Sequence, residues 1–289
     1  MTQSSCLRTL EQLSWTEQQI RFPVSTLHPD AWKPVYDRGQ KIGRVFEDEN
    51  ALYCILSELK PSNLAASRSE QTDEVLLIIQ RALQQLGLEF RSVIRTWFYV
   101  DHILDWYGEF NRVRTSFFKG IEMDLIPAST GIGAPNGYGA ALFANVIAVL
   151  PKSPAVSVRK GFSPLQGEAP AYGSSFSRAI ELQNANSRTL YISGTASIDE
   201  DGKSLHIGDV AKQIETTMEV VEAILSRSNM GIKEVTRGIA YLKHAEDVSY
   251  WSRYCERRGW NHLPVVVVHA DVCRDELLFE IELDAALSA

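Results

Sequence analysis

Residues 93–105, VIRTWFYVDHILD, and residues 235–247, VTRGIAYLKHAED, decide how this chain folds. At an offset of 142 residues (235 − 93), Val93 meets Val235, Arg95 meets Arg237 and Tyr99 meets Tyr241; His102 then meets His244, and Asp105 meets Asp247. Each segment reads as a strand leading into a helix. The register holds upstream, where Gln71 falls on Gln213, Ile78 on Val220, Ile79 on Val221, Ala82 on Ile224 and Leu83 on Leu225. Those apolar positions have helical spacing, which predicts a helix before the strand in each copy, over 70–87 and 209–228. Asp209, just after Gly208, stands where an N-cap belongs. A second helix follows each strand, over Ile103–Phe118 and Asp247–Arg258.

Working outward, strands flank these units. Phe176–Leu182 and Thr189–Ser193 read as a hairpin around the turn-rich residues 184–188, and Pro264–Val272 and Leu277–Asp284 as a second pair. The second copy is thus ββαβαββ. The first copy matches it with Ile42–Glu47, Leu52–Glu58 and Ala140–Leu150. Two such units predict an α+β protein of tandem mixed sheets, each with helices packed on one face. The domains are 1–150 and 174–289, joined by a Pro-, Gly- and Ser-rich linker over 151–173.

Composition narrows the function. The chain has 289 residues, 45% apolar and 22% charged, which fits a folded globular protein of two domains. A net charge of −7 argues against non-specific nucleic-acid binding. No apolar run is long enough to span a membrane, and the N-terminal MTQSSCLRTLEQLSW lacks the apolar core of a signal peptide. Cys6, Cys54, Cys255 and Cys273 are scattered, as expected of reduced thiols in a cytoplasmic protein.

Seven motifs in order carry a resemblance. They are RTWFYV (95–100), YGEFNRVR (107–114), PASTGIGA (127–134), YGSSFSRA (172–179), SGTASI (193–198), HIGDVAKQIETT (206–217) and DVCRDELLFEIE (271–282). The unit resembles the YjgF/RidA superfamily, and the motif series resembles the chorismatases, which are tandem RidA-like proteins. The simple RidA imine and enamine deaminases carry an arginine two residues after a strand proline. Here Pro264 is followed at that offset by Val266 and Pro127 by Ser129, which disfavours that activity. The resemblance implies cleavage of the enolpyruvyl ether of chorismate with release of pyruvate, with no metal and no organic cofactor. The ring product is a hydroxybenzoate or a dihydroxy-diene acid, according to subclass. It also implies a small-molecule partner, no nucleic acid, no membrane, and a monomer or homotrimer. The alternatives are a RidA-type deaminase and a metabolite-binding protein without catalysis.

Candidate residues follow. Leu277, Phe279, Ile281 and Leu283 alternate with Leu278, Glu280, Glu282 and Asp284, so the first set should meet the helices and Glu280 should face away from them. A carboxyl there would be desolvated and held protonated, unless it pairs with a Lys or Arg across the sheet. The resemblance gives it the role of general acid. Arg178 is a candidate fork for a substrate carboxylate, or else an edge-strand charge. Tyr172 could donate to the same group or pack a loop. Arg274 is a second carboxylate partner or a turn charge.

Gly194 and Ala196 of SGTASI permit close backbone approach to an anion, or make a tight turn. Tyr241 and Lys243 are rim candidates. His269, Asp271 and Cys273 should share a strand face, but their spacing fits no common zinc motif. In the resembled family a cysteine at position 273 goes with 3-hydroxybenzoate formation. It displaces a hydrolytic water, so that the ring's own hydroxyl traps the cation. The Tyr107–Phe110 aromatics read as packing.

Overall fold

The computed structural model describes residues 8–9 and 32–288; Cys6 and, apart from Arg8 and Thr9, the N-terminal segment read above lie outside the described residues. In chain order the elements are β1 (Arg8–Thr9), β2 (Lys33–Asp37), β3 (Gln40–Glu47), β4 (Ala51–Leu59), α1 (Arg68–Gln84), β5 (Val93–Val100), α2 (Ile103–Gly120), β6 (Ala128–Gly133), β7 (Leu142–Pro151) and β8 (Ser157–Gly161). Then come β9 (Ala179–Gln183), β10 (Ser187–Ala196), α3 (Val210–Arg227), β11 (Val235–Leu242), α4 (Val248–Arg258), β12 (Val265–His269) and β13 (Phe279–Ser288).

The repeat is topological as well as sequential. One sheet runs β2-β3-β4-β7-β5-β6, and the other runs β8-β9-β10-β13-β11-β12 with β1 added beyond β12. Position by position the two orders are equivalent, and the parallel pair β5·β6 in one answers β11·β12 in the other. The segment 151–173 is therefore more than a connection: within it β8 forms the outer strand beside β9, as β2 does beside β3. The predicted helices stand within a few residues of their expected ends. α1 begins with a reciprocal Ser67–Glu70 capping box, and Asp209 accepts the Lys212 N–H at the start of α3.

Each sheet buries one face under its own helices. Val75, Ile79, Phe98 and Phe110 belong to the core beneath α1 and α2, and Ile214, Val221, Phe279, Ile281 and Leu283 to the core beneath α3 and α4. The other faces meet. Trp97, Tyr99, Phe143 and Ile147 of the first sheet share one cluster with Tyr191, Ile239, Tyr241 and Val268 of the second. The result is a helix–sheet–sheet–helix arrangement, which is why every residue of β5 is buried. The alternation predicted for the last strand holds from Phe279. Leu277 precedes the strand and joins the inter-sheet cluster instead.

Candidate active site

Glu280 lies mid-strand on the face of β13 turned towards the other sheet. Its register partners are Ala196 on β10 and Tyr241 on β11. The carboxyl is 5% exposed and lines a small cavity. Among the described residues it makes no hydrogen bond or ion pair. Burial, reinforced by the nearby Glu282 carboxylate and opposed by Arg95, pushes its pKa from 4.5 to about 8. The group is therefore neutral at pH 7. The pairing across the sheet that was open for Glu280 belongs to Glu282, which Arg95 and Arg237 hold at 2.8 and 2.7 Å.

Three arginines face the same cavity. Arg178 is buried; its Nε and Nη2 donate to the Gly167 carbonyl at 2.9 and 2.6 Å, and Tyr172 hydrogen-bonds it. β9, which it precedes, is covered by β8 on one side and β10 on the other, so an edge-strand role is excluded. Arg274 lines the cavity from the loop after β12, with Nη1 on the Gly202 carbonyl. The third, Arg114, comes from the first repeat. Its Nη2 donates to Asn111 Oδ1 at 2.6 Å and its Nη1 to Ser129 Oγ at 3.2 Å, and Tyr107 hydrogen-bonds it. Each of the two fully enclosed arginines thus has a tyrosine companion.

Tyr172, Cys273, Ala196 and Arg274 all line the cavity. Cys273 is hydrogen-bonded by Tyr107; burial, with Glu280 beside it, pushes the thiol up to about 12, so it is a neutral wall group and not a thiolate. Tyr107, Tyr172, Ser174 and Arg274 also line an adjoining groove that includes Arg112 and Lys119.

Other expectations fail in instructive ways. Tyr241 is no rim residue: it is fully buried beneath the facing sheet, and its hydroxyl has no hydrogen-bond partner among the described residues. Lys243 turns to the Asp275 carbonyl at 2.6 Å, outside the cavity. The Gly194 N–H is already taken by Thr130 Oγ1 at 3.1 Å and does not offer itself to an anion. His269, Asp271 and Cys273 do not share a face, because β12 ends at His269. His269 Nε2 lies 3.1 Å from the Lys243 carbonyl, and Asp271 accepts the Gly133 N–H at 2.8 Å. Among the described residues no three His, Cys, Asp or Glu side chains are grouped to hold a metal.

The packing role read for Tyr107 from sequence is incomplete, since its side chain lines the cavity, and Arg114 is a site residue that sequence reading does not single out. A signal existed: Tyr107, Asn111 and Arg114 stand at i, i+4 and i+7, a polar stripe on one face of α2, while Phe110 enters the core.

The comparisons with known proteins agree with this geometry. The family model Endoribonuclease L-PSP, the RidA-type unit, matches residues 166–287. A chorismatase of Streptomyces rapamycinicus is 33% identical over 218 residues, 68% of this chain and 64% of the relative, short of two thirds of its length. A 3-hydroxybenzoate synthase of Streptomyces hygroscopicus is 24% identical over 93% of this chain and 85% of its own. A chorismatase crystal structure superposes with a TM-score of 0.67 at 23% identity, covering 88% of this chain and 80% of that one, a likeness of fold. Two topologically equivalent sheets, closed on each other around one cavity, define a tandem YjgF/RidA-like protein. Among such proteins, this chain belongs to the chorismatase family. Among the described residues no helix is long and apolar enough to cross a membrane.

Proposed function

We propose that the chain cleaves the enolpyruvyl ether of chorismate to pyruvate and 3-hydroxybenzoate, with Glu280 as general acid. The observation that carries this reading is a buried carboxyl, unpartnered among the described residues and pushed by burial towards its neutral form, in a cavity walled by three arginines. Chorismate has two carboxylates, and Arg114, Arg178 and Arg274 supply the fixed cationic forks that a dianion needs. Glu280 then gives its proton to the terminal methylene carbon, and the carboxylate it becomes stabilises the oxocarbenium centre left on the ether carbon. The ring's own hydroxyl traps that centre and gives up its proton, forming a cyclic ketal. The ring carbon's bond to that hydroxyl oxygen then breaks as the neighbouring ring carbon loses its proton and the ring aromatises. The remaining hemiketal collapses to pyruvate, which keeps the trapping oxygen as its ketone, and to the phenol, which takes a proton back. Substrate and products balance without water. Cys273, as a neutral wall group, fills the space a hydrolytic water would need. In this reading residues 174–289 supply the acid, residues 1–150 complete the cavity through Tyr107, Arg114 and Ser129, and 151–173 connects them.

The test is incubation with chorismate, following the diene absorbance, pyruvate release and the aromatic product by chromatography. Equimolar pyruvate and 3-hydroxybenzoate are expected. Turnover of imines without chorismate loss would assign the chain to the RidA-type deaminases. Protection from heat by chorismate without turnover would make it a binding protein.

A further inference from the structure

Glu282 stands two residues beyond Glu280 on the same face of β13, yet it is fully buried and does not reach the cavity. Four groups converge on its carboxylate. Arg95 Nη2 of β5 donates at 2.8 Å, Arg237 Nη2 of β11 at 2.7 Å and Trp97 Nε1 at 2.8 Å, while Thr130 adds its hydroxyl. Burial raises the Glu282 carboxyl, but Arg237 and Arg95 outweigh it and keep the group ionised. Arg95 and Arg237 are the residues that match when the two repeats are laid over each other. Equivalent arginines from the two sheets thus grip one anion between them.

A buried ion cluster of this kind costs desolvation, and a well-packed apolar replacement commonly does as well or better for stability. Its position suggests what it is for. The charged and titratable groups around Glu280 are Glu282 and Asp284 on its own strand, Tyr241 and Arg237 on β11 and Arg95 on β5. Tyr107 and Arg114 face it from α2, and Tyr172, Arg178, Cys273 and Arg274 from the loops. Among these groups Glu282 is the ionised carboxylate that stands beside Glu280 on its own strand face, two residues on.

Resting on the chorismate reading, we infer that Glu282 is a positioning residue: its clamped negative charge faces the Glu280 carboxyl along β13 and holds the proton there until it is delivered to substrate. The arginines set how strongly. Removing the anion leaves Arg95 and Arg237 to favour loss of the Glu280 proton; removing one arginine leaves Glu282 less compensated and favours its retention.

The experiment is the pH dependence of kcat in three variants. Glu282→Gln should move the alkaline limb to lower pH by about one unit or more, and Arg95→Gln should move it to higher pH. A merely structural role would lower activity in both without moving the limb in opposite directions. Should Glu282→Gln fail to fold, Arg237→Gln serves as the second arginine variant and must also move the limb upward. Limbs that stay put, or that shift the same way in the anion and cation variants, overturn the inference. If the wild-type chain shows no chorismate turnover, the functional reading fails by itself. The inference is then read by infrared titration of the protonated carboxyl band that Glu280→Gln abolishes, with the same opposite shifts expected and their absence again decisive.

Discussion

The Glu280 carboxyl occupies the space that a side chain on Gly194 would fill: a Cβ built there overlaps Oε1 and stands 3.0 Å from Cδ. Gly194 lies in the irregular stretch of β10 where the register against β13 shifts between Ile192 and Thr195, opposite the acid. At Gly194 the small-residue motif SGTASI therefore makes room for the carboxyl. Gly194→Ala should push the carboxyl out of place. We expect turnover to fall by roughly tenfold or more, because misplacement on the ångström scale is costly in catalysis, while the melting temperature changes little. Unchanged kcat in a folded Gly194→Ala variant would show that the carboxyl tolerates displacement.

The acid carries a pH-dependent cost. Its pKa rises from 4.5 to about 8 on folding, so between those values the folded chain holds a proton that the unfolded chain has released. Its contribution to stability is fully present below pH 4.5 and is lost as pH climbs to about 8. Glu280→Gln, which resembles the protonated group, should be more stable than wild type at pH 8, by on the order of a few kcal/mol, and about equal to it near pH 4. Denaturant unfolding across that range measures the difference. A difference independent of pH would mean an ordinary carboxyl.

Arg178 has two visible duties, bracing the Gly167 carbonyl and facing the cavity. Arg178→Ala should raise KM by the equivalent of roughly 1.5–3 kcal/mol of lost charge-assisted contact, with a smaller effect on kcat. Steady-state kinetics with chorismate decides the matter. A lower melting temperature with unchanged KM would leave Arg178 only the bracing role.

Much of the fold is legible locally because it repeats. The helices announce themselves by apolar spacing and by caps such as Asp209, and the alternation of Phe279, Glu280, Ile281 and Glu282 marks the acid. β6 is harder to see, since Ala128–Gly133 is poor in strand formers and owes its place to pairing with β5. β8 hides in a Pro- and Gly-rich stretch for the same reason. Tyr241 was misplaced because nothing in its strand tells whether a second sheet lies over that face. Arg114 was missed because it reaches the site only when α2 of one repeat packs beside the loops of the other, a long-range fact absent from any local pattern.

Cys273 bears on the product. Truncation to Ala opens about one heavy atom of volume beside Glu280, and a water needs about one probe sphere of space with polar partners. Cys273→Ala should stay active and divert part of the product from hydroxybenzoate to the dihydroxy-diene acid. Chromatography of the reaction mixture reads the ratio. A dead variant would make the thiol catalytic, and an unaltered ratio would reduce Cys273 to packing.

The central claim is that a protonated Glu280 performs the chemistry while the arginines perform the binding. Single-turnover kinetics of Glu280→Gln with chorismate, alongside calorimetric binding, tests it most directly. The account predicts a rate lower by at least about a hundredfold, as for loss of a general acid, with chorismate affinity preserved. Cleavage at near the wild-type rate by a variant that binds chorismate normally would contradict it.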